Sequence, residues 1–315
     1  MPGRRLLAAE ARRGRVAVAT AAVAWSTAGL GQRSLGVDAA TQVAGRALFA
    51  FLTLLVIVLA SHRGRAVAAF RSMGRWDVLF AVLMAIASGT FILALNHTTV
   101  ANVVFMQAAA PMLAGLLGWL LLGDVVTRRT WAAVAVAIVG VGVMAGASVG
   151  TGPEATLLPL LMTTAFAGNV VIARHRREVS MLPATCLSQA LVVLALAPFV
   201  TPQAAGGGDW AILVALGIGQ MGIALALFTV GARLLPPAEV ALIALLEVVL
   251  SPIWVWLAYG ERPAPATLLG GAVVLVAVGI QATAPAARTP PRGDDGLDAP
   301  DLADAVSPLP LEGRP

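Results

Sequence analysis

The chain is poor in charge and in reactive side chains. Its 315 residues include no lysine, one cysteine and three histidines, and Asp, Glu, Lys and Arg together make up only 12%. The single cysteine, Cys186, excludes an intramolecular disulfide and a thiolate metal cluster, and we expect neither a metal nor a cofactor. The 21 basic residues are all arginines that lie almost entirely in loops and tails, so the pI of about 11.0 reflects membrane topology and predicts no nucleic-acid partner.

Apolar side chains are what the sequence has in abundance. Hydrophobic residues make up 59% of the chain and the mean hydropathy is +0.87, values that exclude a water-soluble domain of this length. The apolar stretches approach the length of roughly 20 residues that crosses about 30 Å of hydrocarbon as a helix. The sequence therefore predicts an all-α polytopic membrane protein with ten transmembrane helices. The ten stretches are 16–30, 42–60, 78–95, 100–122, 131–147, 156–173, 183–200, 210–227, 238–259 and 267–284.

The distribution of arginine predicts the orientation of these helices. The first 15 residues contain five arginines, and three of the loops contain nine more, whereas the alternate loops hold only Arg33 and Arg262. Arginine-rich loops stay on the cytoplasmic side, so we expect both termini in the cytoplasm of a multi-pass protein of the cell membrane. Since each half then has five spans, the halves are inverted repeats. The expected segments are a basic tail 1–15, a first repeat 16–150, a second repeat 151–284, and a disordered acidic, proline-rich tail 285–315.

Internal duplication supports this division into halves. Residues 101–145 and 238–282 match at a spacing of 137 positions, and the match includes the tryptophans Trp119 and Trp256. It also includes Gly123 and Gly260, each followed by an acidic residue. Two apolar helices often match by chance at Ala, Val and Leu. They rarely match by chance at Trp or at a Gly followed by an acidic residue. Two-fold internal symmetry of this length is typical of secondary transporters, whose sites lie between the repeats.

Glu247 is the only acidic residue deep in a predicted span. Placing a carboxylate at the centre of a bilayer costs about 2.5 to 3.5 kcal/mol on insertion scales, so its presence requires a reason. The functional interpretation is a group that binds a proton or cation during transport, and the alternative is a protonated glutamate that hydrogen-bonds between helices. Pro252, five residues later, removes a backbone donor, and we consider it a hinge candidate.

Arg46 is the only arginine inside a predicted span. Helical rise places it about 7 Å below the outer face, and Glu247 about 15 Å from the inner face, so the two lie within reach in depth. If they also face each other, they form a pair that could break and reform during transport. The alternative is an arginine whose side chain extends outward to the lipid headgroups.

The other polar residues of the spans suggest a polar central cavity. Seven polar residues recur at similar depth as candidates for a binding or coupling site, although each one alone is more often a hydrogen bond between helices. Pro111 is expected to kink the fourth span and is a second hinge candidate. Gly142 and Gly270 fall in small-residue patterns that predict close packing of the fifth and tenth spans. The seven polar candidates are Trp25, Ser26, Thr27, Gln107, Asn169, Gln189 and Gln220.

Taken together, these features resemble the EamA-type transporters of the drug/metabolite transporter superfamily. The resemblance covers residues 16–284, and its most specific part is the pair of runs 119–124 and 256–261; Trp25-Ser26, Arg46, Pro111 and Leu246-Glu247 add to it. It implies a ten-helix carrier with a central cavity, often an exporter of amino acids or related metabolites and drugs.

The sequence therefore predicts a secondary active transporter that exports small organic solutes by alternating access, with proton coupling through Glu247 as an addition. A proton-independent facilitator or pore is the alternative. An intramembrane enzyme is disfavoured because the spans contain no acid/base or nucleophile constellation. The expected partners are a small-molecule substrate and the lipid bilayer, and the protein could be a monomer or a homodimer.

Overall fold

A computed structural model describes residues 2–62, 64–123, 128–147, 152–176, 179–232, 234–235 and 237–282. In these ranges the chain is helical, with no β-strand. Asp124, which pairs with Glu261 in the duplication, lies outside the described residues, as does the acidic tail 285–315.

The described residues of the first half form eight helices. Two of its apolar stretches are each divided in two, and a short helix, α4, occupies the arginine-rich loop. The first helix begins at Pro2, well before the apolar stretch that predicted it. The helices are α1 (Pro2–Ser26), α2 (Ala28–Arg33), α3 (Ala39–His62), α4 (Ala66–Arg71), α5 (Arg75–His97), α6 (Val100–Gln107), α7 (Ala110–Leu122) and α8 (Arg128–Ala147).

In the described residues, the second half contains six α-helices, one π-helical segment and two short 3-10 helices. The helices are α9 (Glu154–His175), α10 (Leu182–Leu196), α11 (Gly207–Val214), α12 (Ala224–Ala232), α13 (Pro237–Tyr259) and α14 (Pro265–Ala282). The π segment (Ala215–Ile223) joins α11 to α12, so that the three form one long helical rod. Sequence periodicity predicted an ordinary helix here, but π-helical turns widen a helix and often mark functional positions.

Several helices have the length and composition of membrane spans. In the described ranges, six helical stretches are long and apolar enough to cross a bilayer, and three shorter apolar helices accompany them. The long ones are Ala39–His62, Arg75–His97, Val100–Leu121, Glu154–Ala173, Leu182–Phe199 and Gly207–Phe228, and the shorter ones are Trp131–Met144, Ile243–Tyr259 and Pro265–Ile280. The chain is a polytopic helical membrane protein.

Helices of the first half pack mainly on helices of the second half. α3 packs on α10 and α8 packs on α14, and each of these pairs joins equivalent helices of the two halves. The contact between α5 and α9 has its equivalent in the contact between α1 and α12. The largest apolar core lies among α3, α5, α6, α8, α13 and α14, so it too is shared between the halves.

Glycine sets the closest of these approaches. A methyl group added to Gly140 would lie 2.7 Å from the carbonyl oxygen of Gly270, so α8 and α14 meet at backbone distance. The prediction of close packing is right for Gly270 but wrong for Gly142, where an added methyl group meets nothing within 4 Å. The face of α8 that packs on α14 therefore contains Gly140 and not Gly142.

The duplicated helix ends adopt the same backbone conformation. Gly123 and Gly260 have φ values of 68° and 67°, in the left-handed region that favours glycine. Each donates its N–H to the carbonyl of the tryptophan four residues earlier, Trp119 or Trp256. Each therefore ends its helix with the left-handed cap that only glycine forms without strain.

Candidate functional site

Glu247 lies on α13 inside the bundle, with 9% of its surface exposed. The side-chain amide of Gln107, the last residue of α6, lies beside the carboxyl group of Glu247. One turn further along α13, the hydroxyl of Ser251 donates to the backbone carbonyl of Glu247 at 2.7 Å. The structure thus brings two of the predicted site residues, Gln107 and Glu247, together from the two halves of the chain.

The backbone next to Gln107 is interrupted. α6 ends at Gln107 and α7 begins at Ala110, with Pro111 in the first turn of the new helix. Proline fits the first turn of a helix because it has no N–H to pair there. The helical hydrogen-bond pattern is therefore interrupted at Ala108 and Ala109, beside Gln107 and Glu247, although these two alanines keep α-helical backbone angles. Pro252, by contrast, lies inside α13, which continues through it.

Ser26 and Trp25 sit at a second break, where α1 ends and α2 begins around Thr27. The hydroxyl of Ser26, which is fully buried, accepts a hydrogen bond from the indole nitrogen of Trp254 at 3.0 Å. This contact ties α1 to α13 two turns beyond Glu247. Trp25 faces elsewhere, because its ring packs on Phe228 of α12 with centroids 4.9 Å apart.

Arg46 lies on α3 and is 4% exposed. Its Nη2 atom is 3.4 Å from the hydroxyl of Ser88 and 3.8 Å from the sulfur of Met221, and its guanidinium lies 5.8 Å from the centre of the Phe91 ring. Nη1 is buried without a hydrogen-bond partner. In the described part of the chain, no ion pair within 4.0 Å joins Arg46 to Glu247, so the two charges inside the bundle are separate.

Gln220 belongs to the π segment and is buried, and its Oε1 has no hydrogen-bond partner. The π segment lies close against α3, since a methyl group on Gly217 would be 2.8 Å from the carbonyl oxygen of Arg46. Gln220 therefore belongs with Arg46 and not with Glu247. Gln189 on α10 also has a buried Oε1 without a partner.

Asn169 is not near either charge. With its amide oriented so that both ends are paired, it donates to the carbonyl of Phe80 at 2.9 Å and accepts from the N–H of Met84 at 3.1 Å. Both partners are backbone groups of α5, one turn apart. This side chain therefore joins α9 to α5, as hydrogen bonds between membrane helices commonly do.

A group of polar contacts, here called the Glu261 cluster, joins the two halves beyond the end of α5. Glu261 pairs with Nε of Arg33 at 3.0 Å and accepts from the N–H of Val100 at 2.8 Å. Arg33 also donates to the carbonyl of Thr98 at 2.8 Å. Sequence analysis noted Arg33 only as a loop residue and Glu261 only as part of the duplication, because nothing in sequence spacing reveals that they touch.

A second group, the Asp77 cluster, joins the halves at the start of α5. Asp77 accepts from Arg176, just after α9, at 3.1 Å, and from the N–H of Gly74 at 2.8 Å. Asp209 at the start of α11 repeats the second contact by accepting from the N–H of Gly206 at 3.0 Å. This Gly-x-x-Asp helix start is a duplicated feature that the sequence analysis missed, although its spacing was visible.

Asp38, just before α3, is the charged group with the clearest shift outside the membrane-spanning helices. Burial raises its pKa, but hydrogen bonds from the hydroxyls of Thr201 and Thr41 and from backbone N–H groups outweigh this and lower the pKa to about 2. The contact with Thr201 connects α3 to the segment after α10. It stabilises the ionised form of Asp38 at neutral pH.

A cleft of about 280 Å³ opens on another side of α3. It lies between α3, α10 and α11, and neither Arg46 nor Glu247 lines it. Its walls are mostly apolar, with Thr41, Leu48, Val193 and Trp210 among the lining residues. In the described ranges, no group of three or more His, Cys, Asp or Glu side chains is placed to hold a metal ion.

Two adjacent stretches of the chain match one family model, that of the EamA-like transporter family. The matched residues are 12–146 and 154–282, so that each half matches the model separately. The chain belongs to the EamA-like transporter family. This membership makes it a membrane transporter of two repeats, and the resemblance inferred from the duplicated helix ends is confirmed.

The fold also occurs in a solved structure. A solved structure titled "Crystal structure of protein" is similar with a TM-score of 0.62 at 23% identity, and the match covers 88% of this chain and 99% of the other. At that identity the likeness shows a shared fold. No curated protein sequence matches the chain significantly.

For this EamA-like protein, the site residues therefore fall into two places. Glu247, Gln107 and Ser26 lie along one side of α13, where both broken helices of the first repeat meet it. Arg46 and Gln220 lie where α3 meets the π segment. Trp25 and Asn169 pack against other helices.

Proposed function

We propose that this protein is a secondary active transporter that exports small organic solutes, such as amino acids or related metabolites, across the cell membrane by alternating access. Ten spans form two inverted repeats of five, and both termini are cytoplasmic. The arginine-rich loops support this orientation, and the equivalent pairs of packed helices support the two-fold arrangement.

The observation that carries this proposal is the placement of the Glu261 and Asp77 clusters. They lie at opposite ends of α5, which rises about 35 Å over its length. Each cluster connects the first repeat to the second through a small number of polar contacts. A protein that opens to one side at a time needs separable contacts of this kind at both ends.

The buried charges lie between these ends. An acid and an arginine inside a membrane bundle mark a solute or ion pathway in preference to a purely structural role, because unpaired charges are expensive there. Glu247 binds the coupling proton, and Gln107 holds its carboxylate beside the helix breaks. Pro111 permits α6 and α7 to move relative to each other.

A deletion strain tests the direction and the cargo. The strain is grown on a panel of toxic amino-acid analogues and toxic cations, with the wild-type gene returned on a plasmid as the control. Lost resistance that the plasmid restores identifies an exported solute. If the deletion instead increases resistance, the protein imports that solute and the proposed direction is wrong.

Reconstituted vesicles test the mechanism. With an imposed pH gradient, the wild-type protein should accumulate the identified solute, and Glu247→Gln should abolish the dependence on the gradient. Undiminished dependence in Glu247→Gln contradicts proton coupling through this residue. Single-channel currents in a planar bilayer would show a pore and would contradict the carrier mechanism.

A further inference from the structure

We infer that Arg46 is the binding site for a carboxylate group of the transported solute. This inference rests on the proposed function and specifies the chemistry of its substrate. It begins from the hydrogen-bonding requirements of the guanidinium group, which has five N–H donors and carries its charge at every pH a protein meets.

The contacts of Arg46 do not meet these requirements. Ser88 and Met221 share a single nitrogen, Nη2, and both are neutral groups at long distances of 3.4 and 3.8 Å. The Phe91 ring adds a cation–π contact. Nη1 is buried and has no partner. In the part of the chain that the structure describes, the ion pairs of 4.0 Å or less do not include Arg46.

Other unpaired polar atoms lie at the same depth in the bundle. α10 runs antiparallel to α3, and the sulfur of Cys186 is 4.0 Å from the carbonyl of Phe51, which puts Gln189 roughly level with residue 48. The π segment is in register with α3 through Gly217, so Gln220 lies within about a turn of the same level. Gln189 and Gln220 each have a buried Oε1 that no donor reaches.

A packed membrane protein does not keep such a set of unpaired groups without a use, because buried polar atoms normally find partners. The missing partner of the guanidinium is an anion. A solute anion that arrives during transport supplies it, and the two amide oxygens accept from a hydrogen-bond donor on the same solute. This arrangement leaves the site incomplete between transport cycles.

The charge at the site selects a carboxylate over a phosphate. Arg46 is the only arginine in the middle of a predicted span, so one positive charge is present. A carboxylate carries one negative charge and matches the planar fork of a guanidinium with two parallel hydrogen bonds. A phosphate dianion would leave one negative charge uncompensated inside the bundle.

The test measures ligand binding with two series of related compounds that differ in their charged group. The purified full chain in lipid nanodiscs is heated with 4-methylpentanoate, 4-methylpentanamide, isoamylamine or L-leucine, and with 3-phenylpropionate or its amide. We expect the carboxylates and L-leucine to raise the melting temperature and the matching amides and the amine to have little effect. Arg46→Gln should weaken the apparent carboxylate affinity about tenfold or more.

Two further variants separate binding from folding. Arg46→Lys keeps the charge and should retain the preference for carboxylate over amide with lower affinity, which a merely structural role of Arg46 would not produce. Arg71→Gln, an exposed arginine on α4, is the matched control and should bind like the wild type. Equal effects of amide and carboxylate, a carboxylate effect that survives in Arg46→Gln, or no carboxylate effect on either skeleton would overturn the inference.

Inorganic phosphate supplies the competing anion. If phosphate raises the melting temperature through Arg46 and the carboxylates do not, the carboxylate assignment is wrong. The proposed function fails separately: carboxylate binding at Arg46 without solute movement in vesicles would leave the inference standing and contradict transport. Conversely, the protein could move neutral or cationic solutes at a rate that Arg46→Gln does not change. That result would support transport and contradict the carboxylate inference.

Discussion

Breaking the Glu261 cluster should open the protein on the side that we propose faces outward. The test variant is Glu261→Gln, which removes the ion pair with Arg33 and weakens the hydrogen bond from the N–H of Val100. The shape of the side chain is almost unchanged. Any effect on conformation therefore comes from the charge.

The size of the effect follows from the exposure of the pair. The side chains of Arg33 and Glu261 are 28% and 19% exposed, so the pair is intermediate between a surface ion pair and a buried one. Surface ion pairs contribute about 0.2 to 1 kcal/mol. Disrupting a buried ion pair costs about 3 to 5 kcal/mol. We expect a loss of about 1 to 1.5 kcal/mol. Since 1.4 kcal/mol is a factor of ten, the population open on this side should rise about five- to tenfold.

Cysteine labelling measures this population. A reporter cysteine at Ala47, a buried position next to Arg46, is placed in a Cys186→Ala background and labelled from outside with a membrane-impermeant thiol reagent. The labelling rate should rise about five- to tenfold in Glu261→Gln and similarly in Arg33→Gln. The double variant should gain little more than either single variant, because both remove the same contact.

Glu154→Gln is the matched control, since Glu154 is an exposed glutamate in the first turn of α9, on the same proposed side. It should leave the labelling rate unchanged. An unchanged rate in both Glu261→Gln and Arg33→Gln would refute the role of this cluster in closing the protein. Fully additive effects of the two substitutions would show that they act through different contacts.

Three other predictions concern the Asp77 cluster, Asp38 and the helix ends. Asp77→Asn should weaken the ion pair with Arg176. The melting temperature should then fall by about 2 to 4 °C for each kcal/mol of stability lost. An unchanged melting temperature would show that this contact adds no stability. Because the pKa of Asp38 is about 2 in the folded protein and ordinarily 3.8, its contribution to stability is complete above about pH 4 and is lost as pH falls towards 2. The difference in melting temperature between wild type and Asp38→Asn should therefore shrink from pH 6 to pH 3, and a constant difference would contradict the hydrogen-bonding account. Gly123→Ala and Gly260→Ala should each cost about 1 to 2 kcal/mol in urea unfolding, since both need positive φ, whereas Gly89→Ala, inside a helix with open space around it, should not destabilise.

The features that sequence predicted well are those set by local physical chemistry. Most apolar stretches became helices whose ends differ by a few residues from the prediction, because hydrophobic length and flanking charge determine a span. Gly123 and Gly260 were found as a duplicated pair, and the structure gives the cause in their shared left-handed φ. The two family-model matches confirm the repeat that these positions indicated.

The site was only partly predictable because tertiary packing, not local sequence, determines the rotation of each helix about its axis. Helical rise placed Arg46 and Glu247 at compatible depths, but depth does not determine rotation, and the structure directs them to different neighbours. Asn169 looked equally polar and equally deep, yet it bonds to the backbone of α5. The π segment was missed because a wide helical turn leaves no periodic signal, although Gly217 and Gly222, which contact α3, could have suggested a close approach.

The energies of the two clusters explain how a weak ligand could drive the cycle. In the proposed cycle, opening at either end breaks one ion pair between the halves: Arg33–Glu261, which is partly exposed on both sides, or Arg176–Asp77, whose aspartate is buried. The proposed inward-open and outward-open forms are then separated from the closed form by about 1 to 5 kcal/mol of ion-pair energy. A ligand shifts such an equilibrium only by its difference in affinity between the forms. A carboxylate on Arg46, lying between the two ends, can supply that difference because the guanidinium lacks a full set of partners when the ligand is absent.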